Sequence, residues 1–151
     1  IYTLWHTLSL QTLFRSAATA TAALISDNQG RLLVIVRARD PKKGSWDLPG
    51  GFTDPGESAE ESLRREIQEE LGLEIASMRY LCSRPNRYEY MGICYATVDL
   101  AFVCEVSDLA AVRACRSEVQ RVLFVPPEEL DAARFGFESI RRIVTRYKAE
   151  R

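Results

Sequence analysis

The pattern of apolar and polar positions divides much of the chain into short strands. Residues 17–26 are a run of small and β-branched residues, the turn-forming residues 27–30 follow, and a second strand resumes at residues 31–36. This arrangement predicts a hairpin. Further strands are predicted at residues 75–84, 92–106 and 119–125, with the polar segment 85–91 between the first two.

Two other segments have the spacing of amphipathic helices. In the first, Ser58 and Glu61 form the signature of a capping box, and Gly72 supplies the expected C-terminal stop. The apolar residues that share one face between them are Leu63, Ile67 and Leu71. In the second helix the apolar stripe consists of Phe137, Ile140, Ile143, Val144 and Tyr147. Strands on both sides of two helices predict an α/β sandwich, in which a mixed sheet is packed against helices.

The flank beside the apolar face of the first helix is acidic. Glu66, Glu69 and Glu70 project from it together, and Glu66 and Glu70 place like charges four residues apart. In an isolated helix such a pair costs roughly 0.2–0.5 kcal/mol. The residues alone allow two interpretations. The flank is either a solvated face balanced by Arg64 and Arg65, or a site for a divalent cation such as Mg²⁺ or Mn²⁺, since these ions select carboxylate oxygen.

The spacing over residues 51–73 decides between these interpretations. The specified positions are Gly51, Glu57, Arg65, Glu66, Ile67, Glu69, Glu70, Gly72 and Leu73. Without a gap, they resemble the Nudix box, the signature of the Nudix hydrolase family, and the resemblance covers roughly residues 17–147. It implies an α/β/α sandwich with a mixed sheet, with the box forming a loop–helix–loop. It also implies hydrolysis of a diphosphate bond with the help of a divalent metal.

The resemblance implies a metal site on the box helix. Glu69 and Glu70 are the implied principal ligands, and Glu66 is either a further ligand or the base that acts on water. The carbonyl of Gly50 is the implied backbone ligand. Mg²⁺ is the expected ion, with Mn²⁺ as an alternative. We therefore expect a change of Glu69 or Glu70 to glutamine to remove activity while leaving the fold intact.

Three further residues receive roles from the same resemblance. Arg65 is implied to orient a glutamate, and Glu57 is implied to be an outer metal ligand or a structural anchor. Glu118 lies just ahead of the predicted strand at 119–125, where family members often add another carboxylate to the site. An ordinary charge at the edge of a strand is the alternative for Glu118.

The residues after the box give a partial indication of the substrate. Residues 83–88 resemble the array that NADH diphosphatases of this family carry: Ser83 and Pro85 match it, and Tyr88 replaces a phenylalanine. The departures from that array are Arg84, Asn86 and Arg87. Guanidinium groups suit phosphate, and an aromatic ring suits a base. The predicted substrate-binding residues are Arg84, Arg87, Tyr88 and Tyr90, with Arg37 and Arg39 from a cationic loop before the box.

These residues favour a nucleoside diphosphate linked to another moiety, such as an NADH-like dinucleotide or an ADP-ribose-like compound. Two alternatives are a diphosphohydrolase that removes damaged nucleoside triphosphates from the pool, and a non-catalytic Nudix domain that senses a nucleotide. The intact set of glutamates favours catalysis over sensing.

Composition narrows the class of protein and its partners. The chain has 151 residues, 46% of them hydrophobic, which suits one domain at residues 17–151 after an N-terminal strand or arm at residues 1–16. The arm lacks the basic leader and sustained apolar block of a targeting segment. The net charge of −1 gives no basic surface of the kind that binds nucleic acid, so a small nucleotide is the expected partner. No association with a membrane is expected. Exchange of the N-terminal arm between two copies of the chain would suit a homodimer. The four cysteines form no C-x-x-C pair, so we expect them to be small buried residues of a cytoplasmic protein. Zinc is not expected, because His6 is the single histidine.

Overall fold

The structure is a computed structural model that describes residues 16–151, so the predicted N-terminal arm lies outside the described residues. Its strands are β1 (Ala18–Ile25), β2 (Leu32–Arg37), β3 (Trp46–Asp47), β4 (Gly50–Phe52), β5 (Ile75–Tyr90), β6 (Ile93–Val106) and β7 (Val119–Val125). Its α-helices are α1 (Ala59–Leu71) and α2 (Glu138–Ala149), and single 3-10 turns lie at Leu109–Ala111, Pro127–Glu129 and Ala132–Arg134. Both predicted helices are present. Neither is long and apolar enough to cross a membrane, and the same holds for every helix within the described residues.

A mixed four-stranded sheet has β1 as one of its two inner strands. The order of its strands is β4-β1-β6-β5. β1 runs parallel to β6 along its whole length, with Ala20 opposite Asp99, and antiparallel to β4, with Ala22 opposite Gly50. β5 and β6 form a long antiparallel hairpin. The start of the box, in β4, is therefore held directly beside β1.

A second sheet of antiparallel strands has the order β3-β2-β7. The prediction of a hairpin from residues 17–26 and 31–36 is wrong, although its turn forms. Gly30 donates to the carbonyl of Asp27 (3.0 Å), and a single bridge joins Ser26 and Leu32. Beyond that bridge β1 and β2 enter different sheets, because β6 and β7 offer each of them a longer partner.

Local sequence fixes both ends of α1. The hydroxyl of Ser58 accepts from the N–H of Glu61 (3.1 Å), and the carboxylate of Glu61 accepts from the N–H of Ser58 (2.8 Å), so the predicted capping box is present. An N-cap of this kind contributes about 1 kcal/mol. Gly72 has a left-handed φ of 64°, and its N–H bonds to the carbonyl of Gln68. Glycine adopts that conformation without the steric penalty of a Cβ atom.

The sheets carry a separate apolar core on each face. Along β1, Ala22 and Leu24 belong to the core that contains α2, whereas Ala23 and Ile25 belong to the core that contains α1. This alternation follows the two-residue period of a strand. The apolar residues of α1 with no exposed surface are Leu63, Ile67 and Leu71. Burial of each contributes roughly 1.5–3 kcal/mol. The predicted stripe of α2 is also buried, so the two helices cover opposite faces and the predicted α/β/α sandwich is confirmed.

The polar segment predicted between two strands at residues 85–91 is part of a strand instead. β5 continues without interruption to Tyr90, and the chain turns at Met91 and Gly92, both of which have positive φ. Pro85 is tolerated inside β5 because β5 is the edge strand of its sheet. Pairing with β6 along the whole hairpin overrides the polar composition of the segment.

The expectation that the cysteines are buried holds for only part of the set. Cys82 and Cys104 are buried, whereas Cys94 is exposed and Cys115 is partly exposed. Cys94 lies next to the turn of the long hairpin, where β6 has β5 as its neighbour but no longer lies beside β1. Its position, rather than its residue type, determines its exposure.

Candidate active site

A cavity of about 260 Å³, the main cavity, lies where both sheets, α1 and α2 come together. The predicted metal ligands that line it are Gly50, Glu66, Glu69 and Glu70, and the predicted catalytic residue Glu118 lines it as well. The predicted substrate-binding residues that line it are Arg37, Arg39 and Tyr88. The fold thus brings the acidic flank of α1 into one space with part of the predicted substrate-binding set.

Three carboxylates in this cavity converge on one point. Glu66, Glu70 and Glu118 each offer an oxygen atom within 4.8 Å of the others. Burial raises the pKa of the Glu70 carboxyl well above its ordinary range, and the neighbouring carboxylates, Asp47 among them, raise it further. A bound cation would offset this repulsion, and an all-oxygen donor set suits hard divalent ions. The residues therefore fit a divalent metal.

Glu118, the third carboxylate of this cluster, is positioned by backbone contacts at the C-terminal end of α1. The last carbonyls of a helix have no partner inside the helix. The carbonyl of Glu70 accepts from the N–H of Cys115 (2.7 Å), which docks the loop before β7 against the box helix. The carbonyl of Glu118 then accepts from the N–H of Ala38 (3.0 Å) at the end of β2. These backbone bonds place Glu118 beside Glu66 and Glu70.

Arg65 joins the loop of the box to its helix. Its Nε and Nη2 donate to the two carboxylate oxygens of Glu57 (2.6 and 3.0 Å), and Nη2 also donates to the carbonyl of Phe52 (3.1 Å). Its Nη1 donates to Glu66 (2.8 Å) and Glu69 (3.2 Å). The bonds from Arg65 lower the pKa of the Glu57 carboxyl. In this structure Glu57 holds Arg65 and lies outside the lining of the main cavity, whereas Arg65 orients two of the predicted ligands.

The paired glycines allow the box loop to approach α1 closely. A Cβ atom on Gly51 would lie 2.5 Å from the carboxyl carbon of Glu66, so no side chain fits there unless that carboxylate moves. The N–H of Gly50 donates to Oε2 of Glu70 (3.0 Å). Gly50 thus fixes one carboxylate and Gly51 leaves space for another.

The residues predicted to bind substrate after the box do not converge. Tyr88 lines the main cavity, whereas Arg84 turns its Nη1 back to the carbonyl of Ser83 (2.7 Å) and Tyr90 lies outside both cavities at the end of the hairpin. Arg87 lines a second space of about 520 Å³, the side cavity. Of this set, the structure therefore places Tyr88 in the main cavity, and it places Arg87, the preceding residue of the strand, in the side cavity on the opposite face of β5.

The two arginines before the box have different partners. Arg37 is largely buried and donates to the carboxylate of Asp47 (2.8 Å) and to the carbonyl of Pro41 (2.7 Å). Burial raises the pKa of Asp47 to about 6 even though Arg37 opposes the shift. Arg39 is 63% exposed and reaches Glu118 (3.3 Å). Arg37 is therefore held by the protein, whereas Arg39 can turn toward a ligand.

Sequence reasoning missed several groups in the main cavity. Tyr88 stacks on Phe137 (5.4 Å between centroids, 18° between planes) and meets Phe52 edge to face (5.2 Å, 84°). Phe137 was predicted only as core. Asp99 is buried in the same cavity. The available signal for Asp99 was a single acid in the middle of an apolar strand.

A model of the NUDIX domain family matches residues 16–147. The chain therefore belongs to the Nudix hydrolases, a family whose members act on pyrophosphate bonds and generally need a divalent metal. This match confirms the predicted family. The chain is 38% identical over 84 residues to the human mitochondrial NAD(P)H pyrophosphatase NUDT13, covering 54% of the chain and 23% of that protein.

The chain is also 39% identical over 77 residues to the ADP-ribose pyrophosphatase of Methanocaldococcus jannaschii, and this match covers 50% of the chain and 45% of that protein. The chain thus spans less than half the length of either relative. Among solved structures, the MutT NUDIX hydrolase from Burkholderia pseudomallei superposes with a TM-score of 0.75 at 24% identity, over 87% of this chain and 98% of that one. This superposition confirms the predicted fold class.

Proposed function

We propose that the protein hydrolyses a diphosphate bond in a nucleoside diphosphate linked to another moiety, with NADH-like dinucleotides and ADP-ribose-like compounds as the leading substrates. The observation that carries this proposal is the convergence of Glu66, Glu70 and Glu118 in a cavity whose wall contains aromatic rings. The names of the two relatives, an NAD(P)H pyrophosphatase and an ADP-ribose pyrophosphatase, support the substrate class.

The residues that would hold Mg²⁺ or Mn²⁺ are Glu66, Glu69, Glu70, Glu118 and the carbonyl of Gly50. When bound, the ion neutralises charge on phosphoryl oxygens and makes a water molecule nucleophilic near neutral pH. The side chain of Glu69 is 58% exposed, so it would join from the rim of the cavity.

In the reaction, the oxygen of water forms a new bond to one phosphorus atom and the anhydride P–O bond breaks. The products are a nucleoside monophosphate and the phosphorylated second moiety. We assign the proton of the attacking water to Glu66. Arg65 fixes the direction of this carboxylate through the 2.8 Å bond, so it is held ready to accept a proton. Arg39, whose exposed guanidinium reaches Glu118 at 3.3 Å, lines the main cavity and is placed to meet a phosphate oxygen.

Two neighbouring spaces suit a substrate of two parts. The main cavity and the side cavity share Asn86 and Phe137 as lining residues. The aromatic wall that Tyr88, Phe137 and Phe52 give the main cavity suits a nucleobase. The side cavity is lined by three cations, Lys42, Arg87 and Arg141, against two carboxylates, those of Glu89 and Glu138. This small excess of positive charge suits an anionic second moiety.

The test is a substrate panel with Mg²⁺ and, separately, Mn²⁺. We expect release of AMP from NADH or ADP-ribose, and no AMP from the Glu70→Gln variant. Pyrophosphate released from nucleoside triphosphates instead would support the pool-cleaning alternative. Tight nucleotide binding without any product would support a sensor and contradict the proposal.

A further inference from the structure

Asp99 is a buried carboxylate that the proposed hydrolysis does not use. It lies on β6, lines the main cavity and is only 7% exposed. Acidic side chains are rarely buried without a cation or strong hydrogen-bond donors. Within residues 16–151 no cationic side chain forms an ion pair with Asp99, and Arg37, a cation of the same cavity, is bound to Asp47 (2.8 Å). Such a group in a cleft is a candidate for a functional role.

Two hydroxyl groups fix the direction of this carboxylate. The Thr97 hydroxyl donates to Oδ1 of Asp99 (3.3 Å), and the Ser139 hydroxyl of α2 donates to Oδ2. Both hydroxyl-bearing residues are buried. A carboxylate accepts about four hydrogen bonds. Asp99 therefore keeps acceptor capacity for a ligand, and it is held in place before the ligand arrives.

The surroundings of Asp99 suit the edge of a flat ring. Tyr88, Phe137 and Phe52 form one aromatic wall of the same cavity, in which Tyr88 packs on both other rings and Phe52 is 41% exposed. A nucleobase that stacks on such a face presents its amino and imino groups sideways. The carboxylate cluster of Glu66, Glu70 and Glu118 lies in the same cavity, where it would meet the diphosphate of the same nucleotide.

We propose that Asp99 determines substrate specificity by accepting a hydrogen bond from an exocyclic amino group of a purine base. This inference rests on the proposed function, since it takes the ligand to be a nucleotide. A base that lacks the amino group would leave a buried acceptor unpaired, which is the strongest form of discrimination available to a binding site. We expect about a tenfold to hundredfold difference in affinity.

Binding of nucleoside monophosphates in the presence of Mg²⁺, measured by calorimetry, tests this without any hydrolysis. AMP is compared with purine riboside 5′-monophosphate, and GMP with IMP, because each pair differs by one amino group. The amino-bearing member of at least one pair should bind at least about tenfold more tightly. Equal affinities within both pairs, or no binding of any of the four, would overturn the inference even if the protein hydrolyses a dinucleotide.

Two variants separate a role in recognition from a role in anchoring α2. Asp99→Asn keeps the size but removes the charge, and should reduce the preference to about threefold or less. Ser139→Ala removes the hydroxyl that holds Asp99 but leaves the carboxylate and Thr97, and should keep most of the preference. If both variants weaken all four ligands equally, Asp99 only anchors the helix. If Asp99→Asn does not fold, the comparison of the two nucleotide pairs with the wild-type protein still tests the inference.

Discussion

The two sides of the main cavity are built in different ways. On the catalytic side, neighbouring residues of one continuous segment are locked together, with Arg65 bonded to Glu57 and Glu66, and Gly50 bonded to Glu70. On the substrate side, the rings and cations come from segments far apart in sequence. The geometry of the catalytic side is thus encoded locally except for Glu118, which comes from the loop before β7. The shape that selects a substrate depends instead on how β5, β6 and α2 pack.

The largest loss of turnover should follow from Glu70→Gln, which changes the most buried carboxylate of the catalytic side. Glutamine retains an acceptor for the N–H of Gly50 (3.0 Å) but loses the charge that a metal requires. We expect turnover to fall by about a hundredfold or more, because a bound metal supplies several kcal/mol of transition-state stabilisation. The midpoint of thermal unfolding should not fall, since the pKa of this buried carboxyl is raised and its charge costs free energy.

The matched control is Glu74→Gln, an exposed glutamate just beyond the same helix. It should leave turnover and the unfolding midpoint unchanged. Near-normal turnover of Glu70→Gln at saturating Mg²⁺ would contradict a role for Glu70 as a metal ligand.

Arg65→Lys should have the next largest effect, because it removes the forked contact that orders the catalytic side. A lysine cannot donate to both oxygens of Glu57 while also reaching Glu66. Residues that orient metal ligands typically affect activity by about tenfold to a hundredfold. The measurement is turnover, together with the Mg²⁺ concentration that gives half-maximal activity. Arg64→Lys is the control, because Arg64 contacts the carbonyl of Ile75 instead, and it should change neither quantity.

A smaller effect is expected from pH, through Asp47, which lies between the two sides. Burial raises the pKa of Asp47 from 3.8 to about 6, against the opposing charge of Arg37. The folded state therefore holds this proton more tightly than the unfolded chain. The free energy of unfolding of the metal-free protein should fall as pH rises from 3.8 to about 6.

One carboxyl contributes at most about 1.4 kcal/mol per pH unit. Urea unfolding of metal-free protein at several pH values measures the slope. In Asp47→Asn the unfolding free energy should fall less steeply with pH over this range. The part of the slope that remains should come from Glu66 and Glu70, whose pKa values are also raised by burial. An unchanged slope in Asp47→Asn would mean that the ion pair with Arg37 outweighs burial.

The contrast between the two sides also explains what the sequence could predict. The caps of α1, its buried face and its acidic flank follow from spacing within one helix, and all are present. Glu118 was placed by resemblance, because nothing local shows that its loop docks on the end of α1. The path of β5 past Pro85 was missed since polar composition hides the pairing with β6. Asp99 was missed because its role depends on a cavity that forms only when β6 meets α2.

The smallest expected effect tests the substrate side directly, with two tyrosines of the same strand. Tyr88 stacks on Phe137 inside the main cavity, whereas Tyr90 lies outside both cavities. Stacking on a base contributes about 1–3 kcal/mol, and leucine retains part of the apolar contact. We therefore expect Tyr88→Leu to raise KM by roughly threefold to tenfold with little change in kcat. Tyr90→Leu, the same change of side chain two residues away, should leave both unchanged. If the two variants raised KM equally, the end of β5 would act on the substrate as a flexible segment, and the substrate side would not owe its selectivity to the fixed packing of β5, β6 and α2.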